Sequence, residues 1–239
     1  MAGEPAIDLI AFGPHPDDIE IGMGGTIARH TSLGFAVGLC DLTAGEMGSN
    51  GTVEERLQEA EQAASVLGCA WRTNLGWPDR RFGTDPALVE QAVAFIRRHR
   101  PRAVAVPYWA DRHPDHEAAS RLLRDAVFNS GLRRYGVGEA WRPEWVCHYF
   151  INDNVTPSFV VDVSGHYEQK RRALACHASQ FRRTGGAAAT RLNTPLFNQL
   201  VESRDAQFGA LAGVAWAEGF VVREPLVRPT LFKTGGDGR

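Results

Sequence analysis

Short apolar runs alternate with amphipathic segments through the first 130 residues, and this alternation constrains the fold more than any other feature. The runs are typical of buried strands because they are short and apolar, and a segment with helical periodicity follows each one. Strands that alternate with helices predict a parallel sheet with right-handed crossovers. We therefore expect an α/β, Rossmann-like domain with a mostly parallel sheet flanked by helices. The predicted strands in this part of the chain are residues 6–12, 35–42, 70–75 and 103–106.

Three of the intervening helices have recognisable starts. Thr52 with Glu55, and Asp17 with Glu20, have the capping-box spacing, in which the first side chain caps the helix and the second reaches back. Pro86 suits a first helical turn, where its missing N–H is not needed. These signals predict helices at residues 18–33, 52–67 and 86–99.

The regular alternation ends after Gly131. We still expect residues 1–232 to form one domain, because no composition shift marks a boundary, and we expect residues 233–239 to be a disordered tail. Residues 76–85 predict a surface loop. The elements predicted in the second half are strands at 145–151 and 159–163 and helices at 167–180 and 195–211.

Composition and charge exclude several classes of function. The formal net charge is −2 and no basic patch stands out, which argues against a nucleic-acid partner. No apolar run reaches membrane-spanning length and the first residues lack the pattern of a signal peptide, so we expect a cytoplasmic protein without a membrane partner. The four cysteines are scattered, which favours reduced thiols over a disulfide framework.

Two short motifs share one pattern, HPDD at residues 15–18 and HPDH at residues 113–116. Each follows a predicted strand and precedes a helical segment, so both should lie at the carboxyl ends of parallel strands, where ligands bind. Together they supply imidazoles and carboxylates around one crevice. This set of groups is typical of a catalytic zinc site with additional groups for acid–base chemistry.

His15 and Asp18 can face one metal ion, and the third ligand is either His116 or His113, between which spacing does not choose. A His–Asp–His set suits Zn²⁺, and also Fe²⁺, Co²⁺ or Mn²⁺. Either motif alone would also fit helix caps and polar loop residues. The occurrence of both at equivalent positions of the sheet favours the metal site.

The remaining groups suit a metal-assisted hydrolysis. Asp17 is positioned to accept a proton from a metal-activated water as general base. His113 lies beside Asp115, and an imidazole oriented by a carboxylate can stabilise an oxyanion or protonate a leaving group.

The sequence around both motifs resembles the LmbE-like (PIG-L) family of zinc-dependent N-acetylglucosamine deacetylases. Further matches resemble the bacillithiol-biosynthesis branch, whose members hydrolyse the acetamide of N-acetylglucosaminyl-malate. The segments that carry the family resemblance are GPHPDDIEIGMGGTIA at 13–28, DLTAGEMGSNGTVEERLQEAEQAASVLG at 41–68 and DRHPDH at 111–116, and those that carry the branch resemblance include NLGWPD at 74–79, PSFVVDVS at 157–164 and CHASQF at 176–181.

The resemblance implies roles for six residues of the two motifs. Asp17 would be the general base, and His113, paired with Asp115, would stabilise the oxyanion. The resemblance also implies a Rossmann-like fold and a homo-oligomer, often a hexamer. The implied zinc ligands are His15, Asp18 and His116.

Substrate contacts are predicted at the rim of the crevice. Glu46 and Arg56 resemble the substrate-binding positions of the family. We expect Arg56 to contribute to a preference for the malyl substrate, and Arg112 is a further candidate for the anionic part of the substrate. A malyl carboxylate favours a guanidinium partner because the two groups form paired hydrogen bonds. Met47 and Trp109 are candidates for walls of the pocket.

The sequence therefore predicts an amidohydrolase that acts on a small N-acetylated amino sugar and releases acetate and a free amine. The branch resemblance implies that this sugar is N-acetylglucosaminyl-malate. One alternative is a deacetylase of another N-acetylglucosamine conjugate, such as a chitooligosaccharide or a thiol conjugate. A second alternative is a non-catalytic Rossmann-like binding module. It is disfavoured because no G-x-G-x-x-G fingerprint follows the first strand.

Overall fold

Five parallel strands and two further strands form one sheet in the computed structural model, which describes residues 7–83, 85–183 and 185–227. The strands are β1 (Leu9–Gly13), β2 (Val37–Thr43), β3 (Trp71–Trp77), β4 (Ala103–Pro107), β5 (Trp145–Tyr149), β6 (Phe159–Asp162) and β7 (Ala217–Val221). The helices are α1 (Asp18–Ser32), α2 (Val53–Leu67), α3 (Pro86–His99), α4 (Pro114–Ser130), α5 (Tyr167–Cys176), α6 (Ala178–Phe181) and α7 (Pro195–Ala212).

The predicted α/β fold with a mostly parallel sheet is confirmed. The strand order is β3-β2-β1-β4-β5-β7-β6, and β7 runs antiparallel to both of its neighbours. Side chains of β1 alternate between two cores, as expected for a strand buried on both faces. Leu9 and Ala11 pack towards α1 and α2, whereas Ile10 and Phe12 pack towards α3 and α4. None of the helices in the described part of the chain combines the length and apolar character needed to cross a bilayer.

Three elements differ from what the sequence predicts. Strand β7 was not predicted from the sequence. β3 extends to Trp77, which is buried rather than part of a surface loop. The predicted helix at 167–180 is broken at His177, where ψ is 54°, into α5 and α6. Ala6, placed in the first predicted strand, and the predicted disordered tail at 233–239 lie outside the described residues.

The predicted capping boxes had different outcomes. Thr52 and Glu55 form the expected reciprocal hydrogen bonds at the start of α2. Asp17 precedes α1 but makes no capping hydrogen bond, and its φ of 124° is far from helical. Glu20 instead forms a buried ion pair with Arg72, so its carboxylate does not reach back to the helix start.

Close packing holds the first part of α1 against β5. A Cβ atom at Gly22 would lie 2.2 Å from the ring of Tyr149, so only glycine lets α1 approach β5 at this point. The Tyr149 hydroxyl donates to the Phe12 carbonyl at 2.7 Å and so ties β5 to β1. Because β1 and β4 are adjacent and parallel, the segments that follow them emerge at the same edge of the sheet.

Candidate active site

The structure brings the two His-Pro-Asp motifs to one crevice at the carboxyl edge of the sheet. His15 lies in the turn after β1, Asp18 is the first residue of α1, and His116 lies in the first turn of α4. The crevice has a volume of about 540 Å³, and both motifs line it.

The three predicted metal ligands fit a divalent cation. Nδ1 of His15 lies 3.0 Å from Oδ2 of Asp18, and Nε2 of His116 lies 3.3 Å from Oδ1 of Asp18. One donor atom from each of the three residues lies within 4.8 Å of the others. Ligands about 2.0–2.1 Å from a tetrahedral ion are separated by about 3.3 Å, so the observed spacing suits zinc with one position left open.

His116 is held by a carboxylate on the side away from Asp18. Its Nδ1 lies 2.9 Å from Oδ1 of Asp111, and the Asn152 amide donates to the same oxygen at 3.0 Å. Burial lowers the pKa of His116, but Asp18 and Asp111 outweigh burial and raise the pKa to about 9. The carboxylates that stabilise a proton there would also stabilise a bound cation. A carboxylate behind an imidazole is the usual support of a metal-bound histidine.

His15 has a comparable support, which was not predicted from the sequence. Its Nε2 lies 3.2 Å from Oδ1 of Asp79 and 3.3 Å from Oδ2 of Asp115. Asp79 also accepts a hydrogen bond from the Met47 N–H at 3.0 Å, so it connects the loop after β2 to His15. The sequence contains Asp79 in a WPD segment at 77–79, but that segment predicts only a surface loop, and nothing in it indicates a contact with His15.

The expected pairing of His113 with the Asp115 carboxylate is not observed. The carboxylate of Asp115 bonds to His15 and to Arg80, whereas Nδ1 of His113 accepts the backbone N–H of Asp115 at 3.2 Å. Burial and the nearby charge of His116 lower the pKa of His113. A neutral His113 that accepts through Nδ1 carries its proton on Nε2, and it therefore can donate a hydrogen bond to a ligand.

His113 also belongs to the alternative cluster that the sequence left open. His15, His113 and Asp115 place one donor atom each within 4.8 Å of the others. The His113 ring stacks on that of His116, with centroids 4.6 Å apart. Only the cluster with His116 has an imidazole backed by Asp111, and this favours His116 as the third ligand.

Asp17 is a buried carboxylate in an unusual backbone conformation. Its side chain lies 3.7 Å from Arg56 Nη2, and Oδ2 has no hydrogen-bond partner among the described residues. Burial and the neighbouring charge of Asp18 raise the pKa of Asp17 to about 6, although Arg56 opposes this shift. A carboxylate whose pKa is raised towards neutrality suits a general base. Positive φ at a residue other than glycine is typical of strained functional positions.

Two of the predicted substrate contacts are engaged within the protein. The Arg56 guanidinium is buried at the edge of the crevice and donates to the Gly45 carbonyl at 2.8 Å and the Pro16 carbonyl at 3.1 Å. The Glu46 carboxylate accepts the Asp79 N–H at 2.7 Å. Arg56 therefore holds the loop after β2 against the turn that carries His15, and Glu46 holds the same loop against the segment after β3.

The third predicted contact, Arg112, lines the crevice and is exposed. Two more exposed arginines, Arg80 and Arg191, line the same rim. Met47 also lines the crevice, as expected. Trp109 does not, because it packs against other aromatic rings outside the crevice.

Comparison with known proteins identifies related sequences and structures. Residues 10–127, which include both motifs, match the PIG-L family model, described as GlcNAc-PI de-N-acetylase. The chain is 32% identical over 186 residues to a diacetylchitobiose deacetylase of Thermococcus kodakarensis, covering 72% of this chain and 70% of that protein. It is 28% identical over 227 residues to a 1D-myo-inositol 2-acetamido-2-deoxy-alpha-D-glucopyranoside deacetylase of Mycobacteroides abscessus, covering 72% and 81%.

Solved structures agree with these matches. The conserved protein TT1542 from Thermus thermophilus has a TM-score of 0.87 and 39% identity, with 95% of this chain and 100% of that chain covered. The N,N'-diacetylchitobiose deacetylase from Pyrococcus horikoshii has a TM-score of 0.79 at 24% identity, covering 90% and 83%, and supports the fold.

Proposed function

This chain belongs to the PIG-L family of de-N-acetylases, and we propose that it hydrolyses the N-acetyl group of an N-acetylglucosamine conjugate. The observation that carries this proposal is the convergence of a His–Asp–His cluster with two further groups, Asp17 and His113, in one crevice. A site that only stored or bound a metal would need neither of the additional groups.

His15, Asp18 and His116 would hold the cation, for which zinc is the first candidate and Fe²⁺ an alternative. When bound, such a cation polarises the acetyl carbonyl and lowers the pKa of a water molecule. Asp79 and Asp111 keep the two imidazoles in orientation from behind.

Asp17 accepts the proton of the attacking water in this proposal. Its carboxylate lines the crevice next to Asp18, and its oxygen Oδ2 accepts no hydrogen bond from the described residues. Because burial raises its pKa, the carboxylate is a stronger base than an exposed aspartate while remaining ionised at neutral pH.

His113 donates a hydrogen bond from its Nε2–H to the oxyanion that develops on the acetyl carbonyl, and Asp17 passes the proton that it took from the water to the departing amine. The backbone N–H of Asp115 holds Nδ1 as the acceptor, which leaves the proton on Nε2. The stack on His116 holds the ring beside the metal ligands.

The preferred substrate is proposed to be N-acetylglucosaminyl-malate. Three exposed guanidinium groups, those of Arg80, Arg112 and Arg191, line the rim of the crevice and provide partners for carboxylates. Arg80 is paired with Asp115 and Arg191 with Asn152, whereas the Arg112 guanidinium makes no ion pair with the described residues. Arg112 is therefore the leading candidate for the malyl group.

Acetate release from a substrate panel tests this proposal. The panel contains N-acetylglucosaminyl-malate, diacetylchitobiose, an N-acetylglucosaminyl-inositol and free N-acetylglucosamine. We expect the malyl conjugate to have the highest kcat/KM, and Arg112→Ala to lower that value by about ten- to hundredfold without changing the value for free N-acetylglucosamine. Arg121→Ala is the matched control, because Arg121 is exposed on α4 outside the crevice.

Two results would separate the parts of the proposal. Preference for diacetylchitobiose or the inositol conjugate would overturn the malyl substrate and leave the deacetylase in place. Absence of acetate release from every substrate by the metal-loaded protein would overturn the activity. The expected homo-oligomer and cytoplasmic location stay predictions, and light scattering after size-exclusion chromatography tests the first.

A further inference from the structure

Helix α1, which begins with the metal-site residue Asp18, is interrupted at its centre. Met23 has φ −150° and ψ 23°, outside helical values. Just after this interruption, the N–H groups of Gly25 and Thr26 donate to the Glu218 carboxylate at 2.9 Å and 2.6 Å. Glu218 of β7 therefore caps the second half of α1 as if a new helix began there.

A second side chain bonds the backbone just before the interruption. In a regular helix the Gly25 N–H would donate to the Ile21 carbonyl. Here the Ile21 carbonyl accepts a hydrogen bond from Arg204 Nη2 at 2.7 Å. The Gly25 N–H and the Ile21 carbonyl, which would bond each other in a regular helix, thus bond side chains of β7 and α7 instead.

These two side chains are joined through buried charges. Lys170 Nζ lies 2.6 Å from Glu218 Oε1 and 2.6 Å from Asp205 Oδ2, and Arg204 Nε donates to Asp205 Oδ1 at 3.0 Å. The ion chain formed by Arg204, Asp205, Lys170 and Glu218 is buried, and its two positive and two negative charges cancel. Buried ion pairs add little net stability, so their use here is consistent with fixing a geometry.

Arg204 also bonds the segment after β5, whose residues Ile151 and Asn152 line the crevice. Its Nη1 donates to the carbonyls of Phe150 and Ile151 at 3.0 Å and 3.1 Å. The next residue is Asn152, which donates to Asp111 and so supports His116 from behind. One guanidinium therefore bonds both the first turn of α1 and the segment that supports His116.

We propose that Arg204 is a positioning residue for the active site. Held by the ion chain, its guanidinium fixes the first turn of α1, which carries Asp18, relative to the segment at Asn152. The spacing between Asp18 and His116 then depends on a residue that touches neither. The expected effect on hydrolysis rests on the proposed function, whereas the expected effect on metal geometry does not.

Arg204→Lys tests the proposal, since lysine keeps the charge but its compact ammonium cannot span the Ile21 carbonyl, the two carbonyls at 150–151 and Asp205 as the guanidinium fork does. The matched control is Arg97→Lys. Arg97 is also a buried arginine that donates to backbone carbonyls, those of Ser130, Val137 and Leu132, but these lie at the far end of α4. Each protein is titrated with Co²⁺ alone, and both the visible absorption spectrum and the dissociation constant are measured.

We expect Arg204→Lys to bind Co²⁺ about ten- to hundredfold more weakly, the range seen when support of a metal ligand is lost, with a changed absorption spectrum. Its kcat should fall while KM stays close to the wild-type value. Arg97→Lys should lose stability but keep the wild-type spectrum, affinity and kcat. If both variants show only reduced stability, with unchanged Co²⁺ binding, the positioning role is refuted.

Glu218→Gln provides a second test through the other end of the ion chain, for the case that Arg204→Lys does not fold. It should alter the Co²⁺ spectrum in the same direction, because it weakens the cap on Gly25 and Thr26. An unchanged spectrum in the folded Glu218→Gln protein would overturn the proposal. If no substrate is hydrolysed by wild type but the Co²⁺ changes are observed, the proposed function fails and the positioning role stands.

Discussion

Replacement of Asp17 by Asn should raise the stability of the metal-free protein and remove the activity of the metal-loaded protein. Asp17 is almost fully buried, and its Oδ2 has no hydrogen-bond partner among the described residues. Burial and the charge of Asp18 raise the pKa of Asp17 to about 6. An ionised Asp17 is therefore unfavourable in the folded protein relative to the unfolded chain.

The size of this effect follows from linkage. An unfolded aspartate has a pKa of about 3.9, and each pKa unit corresponds to about 1.4 kcal/mol, so the penalty at pH 8 is at most about 3 kcal/mol. Asparagine has a similar shape and tolerates positive φ, but its amide also lacks partners, which reduces the gain. We expect Asp17→Asn to raise the free energy of unfolding by about 1–3 kcal/mol at pH 8.

Urea unfolding of the metal-free proteins at pH 8 and pH 4.5 measures this difference. A carboxyl with a raised folded pKa loses stability as pH rises towards and through that value, so the advantage of Asp17→Asn should be largest at pH 8. It should shrink to about 1 kcal/mol or less at pH 4.5, where Asp17 is largely protonated in the folded wild type. Metal-loaded Asp17→Asn should lose at least roughly 100-fold in kcat.

Asp18→Asn is the matched control because the two neighbouring aspartates have opposite environments. Burial would raise the pKa of Asp18, but His116 and His15 outweigh burial and hold that pKa well below its usual value. Asp18→Asn should therefore destabilise the metal-free protein at pH 8. The reasoning is refuted if Asp17→Asn is no more stable than wild type at pH 8, or if its advantage is the same at pH 4.5.

Three further predictions have defined outcomes. His116→Ala should lose bound metal and activity together, whereas His113→Ala should keep stoichiometric metal, measured by elemental analysis, and lose turnover; the reverse pattern would exchange the two assignments. Asp79→Asn should weaken metal binding by about 10–100-fold in a chelator competition, because it removes a support of His15; unchanged affinity would make Asp79 only a loop anchor. Glu20, whose pKa is lowered to about 2 because a buried arginine and an imidazole outweigh burial, contributes stability above about pH 4.3 that is lost as pH falls towards 2. Glu20→Gln should flatten this acid limb in urea unfolding curves, and an unchanged limb would exclude Glu20 as its cause.

Most of the parallel part of the sheet could be predicted from the sequence because β1, β2 and β4 are mostly apolar runs and a helical pattern follows each one. β7 could not, since its sequence AEGFV places Glu218 and Gly219 in a strand. Glu218 is fully buried, and a buried carboxylate is tolerated only because Lys170 and two backbone N–H groups meet it. Those partners come from distant parts of the chain, so local pattern contains no signal for the strand.

The same distinction applies to the site. The two motifs were predicted to meet because residues that follow adjacent parallel strands share one edge of the sheet. The carboxylates behind the imidazoles were harder to assign. Asp79 is 64 positions from His15, and Asp115 has its carboxylate on His15 although it is two positions from His113. Sequence proximity suggested the pairing with His113, and the turn of α4 directs the carboxylate elsewhere.

The contrast between Asp17 and Asp18 explains why the turn after β1 is strained. Two consecutive carboxylates must serve different purposes, one facing the imidazoles and the other left without a strong partner. A positive φ at Asp17 turns its side chain away from the capping position, where its carboxylate would be engaged by the N–H groups of α1 and its pKa would fall. The backbone strain costs about 1–3 kcal/mol, and the loss of the helix cap costs about 0.5–2 kcal/mol. Contacts along α1 offset this cost, because Glu20 pairs with Arg72, the Ile21 carbonyl accepts from Arg204 and the Gly25 N–H donates to Glu218. The first turn can then hold a conformation that local sequence preference would not select.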